Sequence, residues 1–289
     1  MAILELNNGV LRVGINTKGA ELTFVTGANG TEFLWNGDPD VWSGRAPILF
    51  PICGGLKEDT YYYAGKKYNL PKHGFARRSE FVGKKLSDTV AEFVLESNES
   101  TLQVYPFQFR LTVRFALNGN EIGVTNTVEN LTDGEAYFSI GAHEAYACPE
   151  GIEEYEVRFD GKQTLDHWEL DGNLLGNSCV RVLENADTLP LKKVYFAIDA
   201  LVFKNVTFSK ATLAHKTSGK AITLSFDGAK YFLIWTKPNG NYICLEPWHG
   251  IQDIVGSSYE LNEKEGIIRL EKGASYEAKH TISFQEPAL

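Results

Sequence analysis

One carboxylate stands out by its surroundings. Glu246 lies in the run Tyr242-Ile243-Cys244-Leu245-Glu246-Pro247-Trp248-His249-Gly250, where an almost unbroken apolar stretch reads as a buried strand that carries one negative charge to the rim of a core. Pro247 predicts that the strand stops there, because it has no ladder N–H and holds the preceding residue extended. Trp248 sets a large ring beside the acid. Such a carboxylate is either solvated at a loop or tuned in basicity by burial and neighbours. Partners for the second case exist elsewhere in the chain. His143 follows a strand-like run and the small pair Gly141-Ala142, beside which other groups approach closely; its imidazole either satisfies a core hydrogen bond or gives and takes a proton at neutral pH. His73 opens the stretch His73-Gly74-Phe75-Ala76-Arg77-Arg78, which is a capped loop with solvated arginines or a site for a polar ligand. Arg45, at the mouth of the apolar segment 46–52, is an ion-pair partner or a ligand contact, and Asp199 precedes the apolar run 200–203.

A histidine facing a carboxylate across a small polar molecule moves one proton onto an oxygen while removing another, which is what opening a sugar hemiacetal requires. Other chemistries fit less well, since the sequence has no G-x-S-x-G elbow, no glycine-rich phosphate loop, no dinucleotide fingerprint and no H-E-x-x-H. Two histidines and one glutamate also match a metal-binding facial triad. Their spread along the chain, with no obvious carboxylate behind them, favours a metal-free reading. A glycosidase would need two carboxylates flanking a bond, and one is evident.

The elements that must position these groups alternate with period two. Leu11, Val13 and Ile15 open a hairpin that returns at 22–25. Phe109, Leu111, Val113, Phe115 and Leu117, the turn Asn118-Gly119-Asn120, then Ile122, Val124, Asn126 and Val128 give the clearest hairpin signal. Further strands are predicted around Tyr155 to Phe159, Ile222 to Phe226, 231–235 and Tyr276 to Phe284, with a short helix near 262–265. Residues 161–190 read as irregular surface excursions. Many short strands and almost no helix predict an all-β fold, a single-domain antiparallel sandwich over residues 1–289.

Composition narrows the partners. With 28 basic and 37 acidic side chains the formal charge is -9, which repels nucleic acid and anionic membrane surfaces. Residues 1–15 lack a signal-peptide pattern, no apolar run is long enough to span a bilayer, and four scattered cysteines without a C-x-x-C pair suit reduced thiols in a cytoplasm. Cys244 reads as core.

Four strings in order, WSGRAPILFP at 42–51, PKHGFAR at 71–77, IGAHEAY at 140–146 and CLEP at 244–247, resemble the motifs of the aldose 1-epimerase family, the galactose mutarotases, and most closely its LacX-like branch. The resemblance covers essentially the whole chain. It implies a β-supersandwich with a sugar cleft on its concave face, no cofactor, no metal, and a free or phosphorylated aldose as the small-molecule partner of a monomer or homodimer. By motif, Glu246 would be the general base at the C1 hydroxyl, His143 the general acid at the ring oxygen, and His73 an assisting hydrogen-bond group. Arg45, Asp199, Arg77 and Trp248 would contact the sugar. The family's usual His-Pro or His-Thr is His143-Glu144 here, and the pair Arg77-Arg78 makes a hexose phosphate a second substrate class. A non-catalytic sugar-binding protein on the same sandwich is the alternative from another class.

Overall fold

Alternating apolar and polar side chains become antiparallel sheet wherever one face can be buried. The hairpin of Phe109–Asn118 and Glu121–Asn130 pairs as the sequence predicts, from Phe109 opposite Asn130 to Asn118 opposite Glu121, and Phe109, Leu111, Val113 and Phe115 are buried. It lies inside a nine-stranded antiparallel sheet whose neighbouring strands are Ser275–Gln285 and Val90–Glu96. The computed structural model describes residues 2–287, in which strands dominate and the α-helix is limited to Glu99–Val104. The all-β expectation holds. The first hairpin, Leu11–Asn16 with Glu21–Gly27, gains a third strand, Ile3–Asn7, that the sequence reading did not include. The expected helix near 262–265 is one 3-10 turn, Leu261–Glu263.

Residues 161–190 correct the sequence reading. They belong to a long hairpin, Tyr155–Asp171 with Leu174–Pro190, at the edge of the nine-stranded sheet. Four register shifts interrupt its ladder, so the period-two pattern that marks a strand is repeatedly reset. Its tip is tied down by Leu175, whose N–H donates to Asp253 (2.8 Å) and whose carbonyl accepts from Val255 (2.8 Å).

A second sheet packs over the first and positions the candidate site. Its central strand is Tyr242–His249, flanked on one side by Tyr231–Trp235 and on the other by Ile140–Gly141 and Glu144–Ala147. Every residue of the central strand is buried. Ile243 and Leu245 face the core shared with the large sheet, while Cys244, Glu246 and Trp248 share the opposite face. Burial on both faces is why the stretch reads as continuous apolar sequence.

The strand does not stop at Glu246. It continues through Pro247, which pairs with Phe232, to His249. The Pro247 carbonyl still accepts from Ala142 N–H (3.2 Å), but the missing donor coincides with a break in the neighbouring ladder between Gly141 and Glu144. Gly141 lies opposite Trp248 and Glu144 opposite Leu245, so the same register carried across the break sets His143 opposite Glu246. Gly141 has a packing reason of its own, because a Cβ there would lie 2.7 Å from the Trp248 ring.

The chain at Leu49 and Phe50 links the two histidines. Leu49 and Gly141 exchange backbone hydrogen bonds (3.0 and 3.1 Å), and the next carbonyl, Phe50, accepts from Phe75 and Ala76 (both 3.1 Å). The His73-Gly74 corner is thereby held one segment away from His143. Gly74 has φ +67°, and a Cβ there would sit 2.3 Å from the Phe50 carbonyl oxygen, a backbone atom that cannot rotate aside. Gly74→Ala is therefore expected to destabilise the protein by roughly 2 kcal/mol or more, from left-handed strain plus overlap. Urea unfolding checks this, and an unchanged midpoint would show that the corner is not constrained as described.

Candidate functional site

The cleft lies on the Glu246 face of the second sheet and encloses about 260 Å³. Its floor is Glu246, His143, His73 and Trp248, and the hairpin tip contributes Leu170, Gly172 and Asn173 as one wall. Glu246 is 1% exposed and His143 is 7% exposed, and Nε2 of the histidine stands 3.5 Å from Oε1 of the glutamate. That Oε1 and His143 Nδ1 have no hydrogen-bond partner among the described residues. Buried polar atoms left unpaired in this way are costly and are expected where a ligand supplies the partners.

Three rings box His143 in. Trp42 stacks on it (5.3 Å between centroids), while Trp235 (5.4 Å) and His73 (5.7 Å) meet it edge-on. His73 is held more firmly. It sits at φ +69°, uncommon for a residue with a side chain, where its N–H donates to the Gly54 carbonyl (2.8 Å) and its Nδ1 accepts from Gly54 N–H (3.1 Å). An accepting Nδ1 places the proton of the neutral ring on Nε2, so His73 is a donor at the cleft wall. Trp248 lies edge-on to His73 at 5.6 Å.

Electrostatics follow burial. Desolvation, reinforced by the Asp199 carboxylate, pushes Glu246 well above the usual carboxylate range; Lys72 and the Trp248 indole N–H oppose this in part. Burial, with Arg77 and Lys72 adding to it, lowers His143 to about 3. Burial also holds His73 well below its ordinary value, with His143, Lys72 and Arg77 acting in the same direction. Burial thus pushes all three groups towards their uncharged forms.

The other sequence candidates divide. Asp199, Arg77 and Trp248 line the cleft. Asp199 pairs with Lys72 (3.6 Å), and Arg77 donates from Nη2 to the Lys72 carbonyl (3.0 Å) while its Nε has no hydrogen-bond partner among the described residues. Arg45 is not among the lining residues. Its guanidinium donates to the Asn36 carbonyl, 2.8 Å from Nε, and Gly37 packs against it. The sequence reading missed Lys72, Asn173, Lys237 and Gln252 as lining residues and gave Trp42 and Trp235 no role in the site. Gln252 is 4% exposed with Oε1 unpartnered, yet nothing in its local sequence marks it. Glu144, next to His143, points through the sheet to His280 (2.9 Å) and away from the cleft.

Cys244 is buried core, as the sequence predicts, packed with Trp35, Ala145 and Tyr242. It precedes Glu246 by two residues on the same face, and its sulfur, a ring nitrogen of His143 and an oxygen of Glu246 all lie within 4.8 Å of one another. The potential ligand atoms that gather are therefore those of His143, Cys244 and Glu246, and not those of the two histidines and one glutamate that a facial triad would use.

Known proteins share this arrangement of strands. Residues 2–283 match the family described as Aldose 1-epimerase. The plasmid-encoded LacX protein of Lactococcus lactis subsp. lactis is 32% identical over 281 residues, covering 92% of this chain and 94% of that protein. A galactose mutarotase related enzyme from Lactobacillus acidophilus superposes with a TM-score of 0.94 at 29% identity, covering 99% of this chain and 98% of the other. A galactose mutarotase-like protein from Lactobacillus casei ATCC 334 gives 0.93 at 26%, covering 98% and 100%. Among the described residues no helix is long and apolar enough to cross a membrane. By family match and by identity along nearly its whole length, this chain belongs to the aldose 1-epimerase family, a family of carbohydrate epimerases.

Proposed function

We propose that the protein interconverts the α and β anomers of an aldose by opening and reclosing its ring, without a cofactor, with Glu246 and His143 as the proton-transfer pair. Glu246 takes the C1 hydroxyl proton, His143 delivers a proton to the ring oxygen, and the C1–O5 bond breaks to leave an aldehyde. Rotation about C1–C2 exposes the other face, and the transfers then run in reverse. The observation that carries this reading is the 3.5 Å approach of His143 Nε2 to Glu246 Oε1 at the cleft floor. Both oxygens are bonded to one anomeric carbon, so groups that serve them must themselves be neighbours. His73 Nε2–H is suited to hold a ring or hydroxyl oxygen, and Trp42, Trp235 and Trp248 supply apolar faces for the C–H side of a pyranose.

The neutral form favoured by burial is the form the pair has once the ring is open, when Glu246 has gained a proton and His143 has lost one. Ring opening starts from the ionised form, for which Lys72 favours the carboxylate but opposes the imidazolium, so the hydroxyls of a bound sugar must supply the balance. The low-dielectric cleft therefore lies on the side of the opened intermediate.

Glu246→Gln is expected to reduce anomer exchange by about 10²- to 10⁴-fold in NMR exchange or polarimetry. Wild-type protein that binds an aldose yet leaves exchange at the buffer rate would instead favour the non-catalytic sugar-binding reading.

Stability should move the opposite way. Between the ordinary carboxyl value of 4.5 and its raised folded value, Glu246 binds more proton in the folded state, so its contribution to stability falls as pH rises. Glu246→Gln, isosteric and uncharged, is expected to melt near wild type at pH 4 and increasingly above it towards pH 8. The gap should grow by at most about 1.4 kcal/mol per pH unit. A pH-independent gap in thermal melts would contradict the raised carboxyl.

One observation favours a phosphorylated aldose. Lys72, Arg77 and Lys237 all stand on the cleft wall, and Arg77 Nε has no hydrogen-bond partner among the described residues. A charge-assisted contact of about 1.5–3 kcal/mol to a phosphate would give kcat/KM for a hexose 6-phosphate roughly 10- to 100-fold above the free hexose. Arg77→Gln should erase most of that ratio, whereas equal values for the two sugars in wild type would assign the cations to hydroxyl binding.

A further inference from the structure

We infer that His143, Cys244 and Glu246 form a site for one thiophilic divalent cation of the zinc class, and that a cation held there silences the proton-transfer pair. Strand geometry builds the site. Positions 244 and 246 project from one face of the same strand, and His143 lies opposite 246 in the neighbouring segment, so nitrogen, sulfur and oxygen ligand atoms gather within 4.8 Å. Zinc binds such atoms at about 2.0–2.3 Å, which in a tetrahedron sets neighbouring ligands roughly 3.3–3.8 Å apart. The His143 to Glu246 separation is already 3.5 Å.

All three residues are buried, Cys244 is a free thiol, and Glu246 Oε1 faces its neighbours without a hydrogen-bond partner. One thiol, one imidazole and one carboxylate suit a borderline-soft ion. Magnesium and calcium need more oxygen ligands than one carboxylate offers. Three protein ligands leave a fourth corner on the cleft side, where His143 and Glu246 line the cavity. Cys244 lies a layer below, against Trp35, Ala145 and Tyr242, so the cation enters past the pair it captures. On binding, the thiol and carboxyl protons leave to solvent, and the metal occupies the lone pairs that would otherwise exchange protons with a sugar.

Binding stands on geometry alone; silencing rests on the proposed mutarotation, and the test separates the two. The probe is cobalt(II), added to full-length protein in a Cys179→Ser background because Cys179 is an exposed thiol. One equivalent is expected to give tetrahedral visible bands and a near-ultraviolet thiolate-to-cobalt band. Cys244→Ala, and independently the near-isosteric Cys244→Ser, should lose the near-ultraviolet band and weaken zinc competition by about 100-fold or more. Zinc should bring wild-type anomer exchange to the buffer rate, reversibly with a chelator, at a concentration that changes each Cys244 variant's own rate by less than about twofold. Magnesium should do nothing. Absence of the thiolate band, its persistence in both Cys244 variants, equal zinc inhibition with and without the thiol, or acceleration by zinc would each overturn the inference. A protein inactive on every aldose would still report the cation site through its cobalt spectrum, leaving only the mutarotase reading refuted.

Discussion

Taking the carboxyl of Glu246 out of water on a strand packed on both faces is the constraint to which the rest of the cleft responds. An ionised carboxylate in such a place needs compensation, and the described residues provide little of it: the indole N–H of Trp248 nearby, a lysine across the cavity, and one oxygen with no hydrogen bond. Burial therefore pushes the carboxyl towards its protonated form and His143, buried beside it, towards its neutral form. Two groups that could ionise at each other's expense are both biased by burial towards the uncharged form. A ligand that brings hydroxyl groups alters that balance.

The fold holds this couple by backbone registration. The second sheet supplies both members in facing register, and the absent N–H of Pro247 opens the ladder where His143 stands. The chain at Leu49 and Phe50 passes the registration on to His73 by backbone hydrogen bonds, and Gly54 fixes the imidazole tautomer. Aromatic rings close around His143 on three sides, so its orientation is set by packing. Behind the sheet, Glu144 and His280 join the two layers, so the residue after His143 carries a carboxyl that does not enter the cleft.

Much of this was legible in the chain, for definable reasons. Period-two alternation marked the hairpin at 109–130 because one face is core and the other is exposed or half-buried. The same rule failed over 161–190, where register shifts reset the alternation, and with it was lost the cleft wall made by Leu170 and Asn173. Pro247 was read by its usual effect, as a stop, whereas the strand runs on through it, its carbonyl still accepting from Ala142 N–H while the neighbouring ladder breaks between Gly141 and Glu144. Motifs located Glu246, His143, His73, Asp199, Arg77 and Trp248 in one cleft but also nominated Arg45, which turns instead to the Asn36 carbonyl.

Residue types and short-range order thus determined the all-β class, the strand that bears the acid, and the identity of the groups able to move protons, because alternation, turn chemistry and ionisable side chains are properties of neighbouring residues. Tertiary structure alone decided that His143 stands 3.5 Å from Glu246, that Cys244 joins them, that Gln252 and Lys72 line the cavity, and which way each proton equilibrium leans. Those are consequences of register between strands about a hundred residues apart and of the water excluded when they pack, and neither is written in any local stretch of chain.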